Sequence, residues 1–340
     1  MKKRIFVVFI SLVVLILISC NSNPVDSPLQ PGRRDYVWTV DTLRIPYTYL
    51  QGISGTGPND VWAVGPGGDL DKTIYHYDGA KWYNDGVSRI ISPLSVCSFN
   101  KNNVWLGGNE GRIWHYDGSS WKESVWFKKK NWDVGFQTIW GDNPDEIYAT
   151  GYADSSNVWK GIILRYDGSK WVEIQIPFLP YNFVKIKRGI NESKNYYLLG
   201  SGVIGTDTDA LFEFDGQNIK SIYEAKYSPS TWAIIQSIGG KMYFVTGNKI
   251  NKYSNNQLIP ITQINDLMFG CQIFGRNEKD LLLRMLNGIA HYNGTDVQYL
   301  YHFSYGAYSI VDAVVFEKDV FFLANDFNNG LNLIFHGQLM

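Results

Sequence analysis

Asp60-Val61-Trp62-Ala63-Val64-Gly65, followed by Ile74-Tyr75-His76-Tyr77-Asp78-Gly79 and Trp82, decides the fold, because the chain writes this stretch again. It returns as Asn103-Val104-Trp105-Leu106-Gly107-Gly108 with Ile113-Trp114-His115-Tyr116-Asp117-Gly118 and Trp121. A third copy is Glu146-Ile147-Tyr148-Ala149-Thr150-Gly151 with Leu164-Arg165-Tyr166-Asp167-Gly168 and Trp171. Each copy alternates apolar with small or polar residues, the period of a half-buried strand. Each then meets Asp-Gly, which reaches positive φ in a tight turn between two strands. One copy is therefore a small antiparallel meander. It cannot bury its faces alone and must stack on neighbours.

Weaker copies keep the beat: Tyr196 to Gly200 with Phe212 to Gly216, Met242 to Gly247 with Tyr253 to Asn255, Asp280 to Leu283 with His291 to Gly294, and Val320 to Leu323 with Phe335 to Gly337. The aromatic before each turn falls at Tyr77, Tyr116, Tyr166, Phe214, Tyr253, Tyr292 and Phe335, in steps of 39, 50, 48, 39, 39 and 43 residues. Periods of about 40–45 residues made of four short strands are those of a β-propeller blade. The last copy breaks off at Gly337-Gln338-Leu339-Met340, where its fourth strand should begin. The folded region opens with Tyr36-Val37-Trp38-Thr39-Val40-Asp41-Thr42-Leu43-Arg44-Ile45-Pro46, which reads as that missing strand. The expected fold is all-β: a single seven-bladed propeller of four-stranded blades over residues 36–340, its last blade closed by the N-terminal strand, so that no sheet edge is left open.

No helical stripe runs past residue 35, and 33 Gly with 15% aromatic residues suit many short strands joined by tight turns. A net charge of −1 and a single basic run, Lys128-Lys129-Lys130, speak against nucleic-acid binding; that run reads as a solvated loop. Cys97 and Cys271 fall in blades nearly opposite one another, too far apart for a disulfide, and are expected as buried free thiols.

Ahead of the repeats stand a basic start, Met1-Lys2-Lys3-Arg4, and an apolar run from Ile5 to Ile18 of the length of a signal h-region. The run ends in Leu17-Ile18-Ser19-Cys20, which resembles the lipobox of bacterial lipoproteins. The resemblance implies a signal peptide over residues 1–19, lipid on the Cys20 thiol (palmitate among the acyl chains), and attachment to the bacterial cell envelope, at the outer membrane or cell surface rather than the inner membrane. Several acyl chains on one residue make a stable anchor. Residues 20–35, polar and with three prolines, are expected as a disordered tether.

His76, His115, His291 and His336 recur at one place in the repeat, but Arg165, Glu213 and Lys252 replace them elsewhere, so no metal is expected there. Asp78, Asp117, Asp167 and Asp215 each precede Gly and read as turn residues bonding their own backbone. Trp82, Trp121 and Trp171 sit at a fixed offset and are expected between blades. Function is then expected where the repeat breaks. The A–B and C–D turns of each blade A-B-C-D are short, whereas the B–C loops and the connections to the next blade are long, and those emerge on one face of the disc. Variable loops on a rigid face are the usual place for a binding site. They carry the candidate ligand-binding residues Trp126, Trp132, Tyr152, Trp159, Tyr181, Trp232 and Tyr305, whose rings can stack on sugars or anchor a protein.

The paired signature Gly-x(4)-Asp-Val-Trp-Ala-Val-Gly and His-Tyr-Asp-Gly-x-x-Trp resembles repeats of exported bacterial β-propeller proteins, many of them lipoproteins, and more distantly the kelch, galactose-oxidase-type and sialidase-type propellers. The Ser-x-Asp-x-Gly-x-x-Trp box of the sialidase type is absent. The resemblance implies fold and export, not a reaction. Two functions stay open. One is a non-enzymatic, membrane-anchored binding module for a glycan or an envelope protein, monomeric, without cofactor or metal. The other is a polysaccharide-active hydrolase or lyase using loop carboxylates such as Asp85, Asp133, Asp154 or Asp207, which needs two carboxyls about 5–9.5 Å apart.

Overall fold

The computed structural model describes residues 29–156, 158–191, 194–202, 207–226, 228 and 231–340. Cys20, the leader and the first part of the tether lie outside the described residues. Among those described, no helix is long and apolar enough to cross a membrane, and the helical content is one 3-10 turn, Asn109–Gly111.

Strand β1 is Tyr36–Leu43. Blade 1 follows as β2 (Gly52–Gly57), β3 (Asp60–Val64), β4 (Ile74–Tyr77) and β5 (Trp82–Tyr83). Blade 2 is β6 (Pro93–Asn100), β7 (Asn103–Gly108), β8 (Arg112–Tyr116) and β9 (Trp121–Trp126); blade 3 is β10 (Asp133–Asn143), β11 (Glu146–Ser155), β12 (Val158–Tyr166) and β13 (Trp171–Glu173). Blade 4 is β14 (Tyr181–Arg188), β15 (Tyr196–Gly202), β16 (Thr208–Phe214) and β17 (Ile219–Lys226); blade 5 is β18 (Ala233–Ile238), β19 (Lys241–Thr246), β20 (Lys249–Ser254) and β21 (Gln257–Gln263). Blade 6 is β22 (Phe269–Asn277), β23 (Asp280–Met285), β24 (Gly288–Tyr292) and β25 (Val297–His302). Blade 7 takes β26 (Ser309–Val315), β27 (Asp319–Asp326) and β28 (Leu331–Leu339) from the C-terminus.

The seven sheets are four-stranded, and the seventh has the order β1-β28-β27-β26. Its register runs from Tyr36 opposite Leu339 to Leu43 opposite Asn332. The protein is a seven-bladed β-propeller whose ring is closed by the N-terminal strand. Trp38 lies against Gly337, where an added Cβ would stand 2.8 Å from the indole, so the small residue in the last copy makes room for the incoming strand.

The turns and the blade interfaces explain the repeat. Asp78 Oδ1 accepts hydrogen bonds from the backbone N–H of Ala80 (2.9 Å) and Lys81 (3.0 Å), and Gly79 follows at φ +95°. Asp117 and Asp167 use the same geometry with Ser119 and Ser120, and with Ser169 and Lys170. Hydrogen bonds from Ser169 and the turn amides hold the Asp167 carboxyl down at about 2. The tryptophan after each turn packs on the preceding blade: Trp121 meets Trp62 edge-on at 5.5 Å, and Trp171 meets Trp105 at 5.8 Å. Cys97 and Cys271 are free and buried, and burial pushes each thiol up to about 11.

Contrary to the sequence expectation, the last residues of the stretch read as a free tether are bound to blade 6. The Gly32 amide donates to the Lys279 carbonyl at 2.8 Å. The Arg34 guanidinium reaches His291 Nδ1 (3.0 Å), Asp296 (3.1 Å) and Gln298 (3.1 Å). Composition alone hid this, because a single arginine after the prolines, Arg34, carries most of the attachment.

Candidate functional site

The two rims of the disc differ in how their polar groups are used. On the rim of the short turns, the polar residue of strand C bonds the residue that opens strand B. His76 Nε2 meets Asp60 Oδ1 at 2.8 Å, His115 meets Asn103 at 2.9 Å, Arg165 meets Glu146 at 3.0 Å, Asn195 meets Glu213 at 2.8 Å, His291 meets Asp280 at 2.9 Å and His336 meets Asp319 at 2.8 Å. Three of the imidazoles also stack on the aromatic of strand B: His76 on Trp62 at 4.1 Å, His115 on Trp105 at 4.1 Å and His336 on Phe321 at 4.0 Å. Burial pushes the Asp280 carboxyl up, but hydrogen bonds from His291 and Arg276 outweigh it and hold the group below its usual range. Arg34 can only donate, so His291 Nδ1 accepts and Nε2–H donates to Asp280. These side chains are a repeated brace, and among the described residues no cluster of His, Cys, Asp and Glu is arranged to hold a metal ion.

On the opposite rim, blades 2 and 3 bring four of the candidate aromatics together. Trp126 ends β9, Trp132 closes the connection to β10, and Tyr152 sits near the end of β11. These three rings, with Phe127, Lys128, Lys129, Lys130, Glu110 and Asp133, line a cavity of about 650 Å3. Trp159 stands behind Tyr152, ring centroids 4.6 Å apart. Trp126 is 45% exposed, and its Nε1–H donates to the Glu110 carbonyl at 3.0 Å, which fixes the ring. The Arg112 guanidinium lies 4.1 Å and the Lys128 ammonium 3.2 Å from the centroid of that ring. Lys160 Nζ lies 5.1 Å from the Trp132 ring; burial and the neighbouring Lys129 push its pKa down. Lys129 is paired with Glu173 at 2.7 Å, whereas Lys130 is exposed.

Tyr152 to Lys160, read from sequence as a loop, is instead a hairpin extension: β11 and β12 run on to Ser155 and Val158, with Tyr152 opposite Gly161 and Asp154 opposite Trp159. Gly135 makes room for it, since an added Cβ there would stand 2.5 Å from the Tyr152 ring. The long hairpin lifts two aromatics above the blade.

The other three candidates lie elsewhere. Tyr181 is 7% exposed and packs edge-on against Phe212 at 5.3 Å, inside the blade 4 core, so it offers no open ring face. It opens β14, where the alternation turns its side chain inward. Trp232 is half-buried against the core shared by blades 5 and 6. Tyr305 is 70% exposed on the connection into blade 7, beside a separate cavity lined by Arg284, Tyr308 and Phe327.

Of the loop carboxylates, Asp85 is bound by Arg89, and that hydrogen bond and ion pair hold its pKa down. Asp133 and Asp154 are directly opposite in the β10–β11 ladder, so the two carboxyls project side by side from one face of the sheet. Burial of the phenol and the charges of this pair push the Tyr152 pKa up. The residues that sequence reasoning missed are the lysines: Lys128 to Lys130, read as a solvated loop, line the aromatic cavity. Their alternation with Trp126 and Trp132 was the available signal.

No protein-family model and no curated protein sequence matches the chain. Solved structures do. YCF48 bound to a D1 peptide is 15% identical with a TM-score of 0.61, the match covering 90% of this chain and 99% of that one. A catalytically inactive variant of the virginiamycin B lyase of Staphylococcus aureus, with quinupristin, is 16% identical with a TM-score of 0.63, covering 89% and 100%. The WD40 propeller domain of Doa1 is 12% identical with a TM-score of 0.56, covering 88% and 97%. At these identities the likeness is one of fold.

Proposed function

We propose that this protein is a lipid-anchored binding module of the bacterial cell envelope, holding a partner on the aromatic and basic cavity of blades 2 and 3. The observation that carries the reading is the convergence of Trp126, Trp132 and Tyr152 with Lys128, Lys129 and Lys130 around one opening. Flat rings beside ammonium groups suit an extended segment that alternates planar or apolar groups with acidic ones. A protein segment is the preferred occupant, and an acidic glycan offers the same two features on a sugar scaffold. Among propellers of the same fold, YCF48 is solved with a D1 peptide bound, which supports the choice. The anchor rests on Leu17-Ile18-Ser19-Cys20.

The test has two arms. Purified protein is incubated with envelope extract and, separately, with a glycan array, alongside Trp126→Ala and Trp132→Ala. One envelope protein or one class of acidic glycan retained by the wild type and lost in both variants supports the reading. Retention unchanged in both variants contradicts it. For the anchor, incorporation of labelled palmitate should vanish in Cys20→Ala.

One observation favours a second reading. Asp133 and Asp154 are cross-strand neighbours beside the aromatic rings, and two carboxyls at such a distance are the equipment of a retaining glycosidase. They share one sheet face instead of facing each other across a cleft, which is why binding is preferred. Hydrolysis of an acidic polysaccharide by the wild type, abolished in Asp154→Asn, would replace the first reading with the second.

A further inference from the structure

The first strand of each blade lines a central cavity of about 280 Å3. Its wall is polar and apolar in about equal part, the polar share including Gln51, Gln137, Gln236 and Gln272, and its charged side chains are Lys185 and Lys187 on one side and Asp312 on another. The two lysines belong to β14 in blade 4, and Asp312 to β26 in blade 7, three blades away round a ring of seven. A bulge between Phe183 and Lys185 sets the lysines inward. It lets Phe183 and Ile186 both bury in the blade, and it turns positions 185 and 187 to the channel.

The charges in this channel are not matched. Lys185 Nζ donates to Gln236 Oε1 at 3.0 Å. The Lys187 ammonium lies 5.5 Å from the Trp140 ring, and among the described residues it has no hydrogen-bond acceptor. Asp312 Oδ2 accepts from the Ile53 amide at 3.4 Å. Neither lysine has a carboxylate within ion-pairing reach among the described residues; Asp312 and, for Lys187, Asp142 act on them through charge alone, so two ammonium groups stand on neighbouring inward positions without a bound counter-ion. Charges ringed by protein are normally paired, because the low-dielectric surroundings penalise an isolated ion. The protein nonetheless holds two like charges together, and burial pushes the Lys187 ammonium down to about 8. A group shaped to accept from both lysines would complete the arrangement. The volume corresponds to roughly nine waters, room for a small acid and not for a polymer.

We propose that the central channel binds a small oxyanion, the carboxylate or phosphate group of a small molecule, between Lys185 and Lys187 with the glutamine amides as further donors. The site is independent of the aromatic cavity on the rim, and either can fail without the other. Asp312, across the channel, repels the anion and limits its charge, so a compact acid with a donor group at its far end fits best.

The test is calorimetric titration of the purified protein, in a chloride buffer at neutral pH, with inorganic phosphate in one arm and succinate in the other. Saturable binding of at least one probe is expected, weakened about tenfold or more in Lys185→Met and in Lys187→Met, and tightened several-fold in Asp312→Asn. The surface variant Lys170→Met should bind as the wild type does. Preference for phosphate or for succinate identifies the source of the oxyanion, and either preference supports the proposal. Should a methionine variant fail to fold, a shift of the Lys187 Nζ resonance in wild type on adding the probe supplies the same answer. Absence of saturable binding for both probes overturns the proposal, as does affinity unchanged in Lys185→Met and Lys187→Met with no shift of the Lys187 resonance.

Discussion

The short-turn rim and the loop rim of blades 2 and 3 are built from the same residue types to opposite ends. On the first, His76, His115, His291 and His336 each spend one nitrogen on the residue opening the neighbouring strand. The tryptophans there donate to the same acceptors: Trp62 to Asp60 at 3.1 Å and Trp105 to Asn103 at 2.7 Å. On the second, Trp126 is 45% exposed under the cations of Arg112 and Lys128, Trp132 is half-buried, and Lys130 stands exposed on the same cavity. The recurring His and carboxylate or amide groups of the first rim are thus spent on one another. Capacity for a partner lies where the repeat is interrupted.

The strongest way to break the comparison is to open the ring. Deleting residues 36–43 removes the outer strand of blade 7 and uncovers Phe322 and Phe335, against which Tyr36 and Trp38 pack. Cooperative unfolding should be lost; a deletion protein that melts like the full chain would refute non-covalent closure. Next comes the brace itself. Asp280→Ala removes the acceptor of His291 and the counter-charge of Arg276 and should cost about 3–5 kcal/mol in urea denaturation. Asp133→Ala on the loop rim should change stability by less than about 0.5 kcal/mol. Equal losses at the two positions would erase the distinction between rims. Trp132→Ala should weaken partner binding about tenfold, or about 1.4 kcal/mol, and should lower stability by about 1–2 kcal/mol because the half-buried ring packs on the core of blades 2 and 3.

The channel adds a pH dependence. Lys187 faces Lys185 and Asp312, with Cys97 and Asp142 nearby, and its pKa is pushed down to about 8. Unfolded lysine titrates near 10.4, so between about 8 and 10.4 the unfolded chain binds more protons and stability rises with pH. The buried thiols of Cys97 and Cys271, pushed up to about 11, act in the opposite direction. The difference between wild type and Lys187→Met cancels their part. That difference should favour the variant below pH 8 and shrink as pH rises; a difference independent of pH would show that Lys187 is not desolvated.

Blade count, ring closure, turn aspartates and interblade tryptophans were legible because each rests on local periodicity repeated along the chain. The His–carboxylate brace was half legible. Both partners stood out at fixed places, but their pairing depends on strand register, which sequence spacing does not reveal. Tyr181 was misjudged as an open ring because a residue one step before a strand and one at its start read alike, while only the second enters the alternation. The extended β11–β12 hairpin hid behind polar residues such as Asp154 and Ser155 that mimic a loop. Lys185 and Lys187 escaped because the bulge at Phe183 breaks the two-residue period by which their direction would be read.

Crosslinking reads the position of the partner most directly. A photoreactive amino acid placed at Lys130, on the rim of the aromatic cavity, is compared with one at Lys101, in the exposed β6–β7 turn of the same blade on the other rim. With envelope extract under light, a discrete crosslinked product from position 130 and none from position 101 is the predicted result. Equal products from both positions, or a product from position 101 alone, would contradict a binding face on blades 2 and 3.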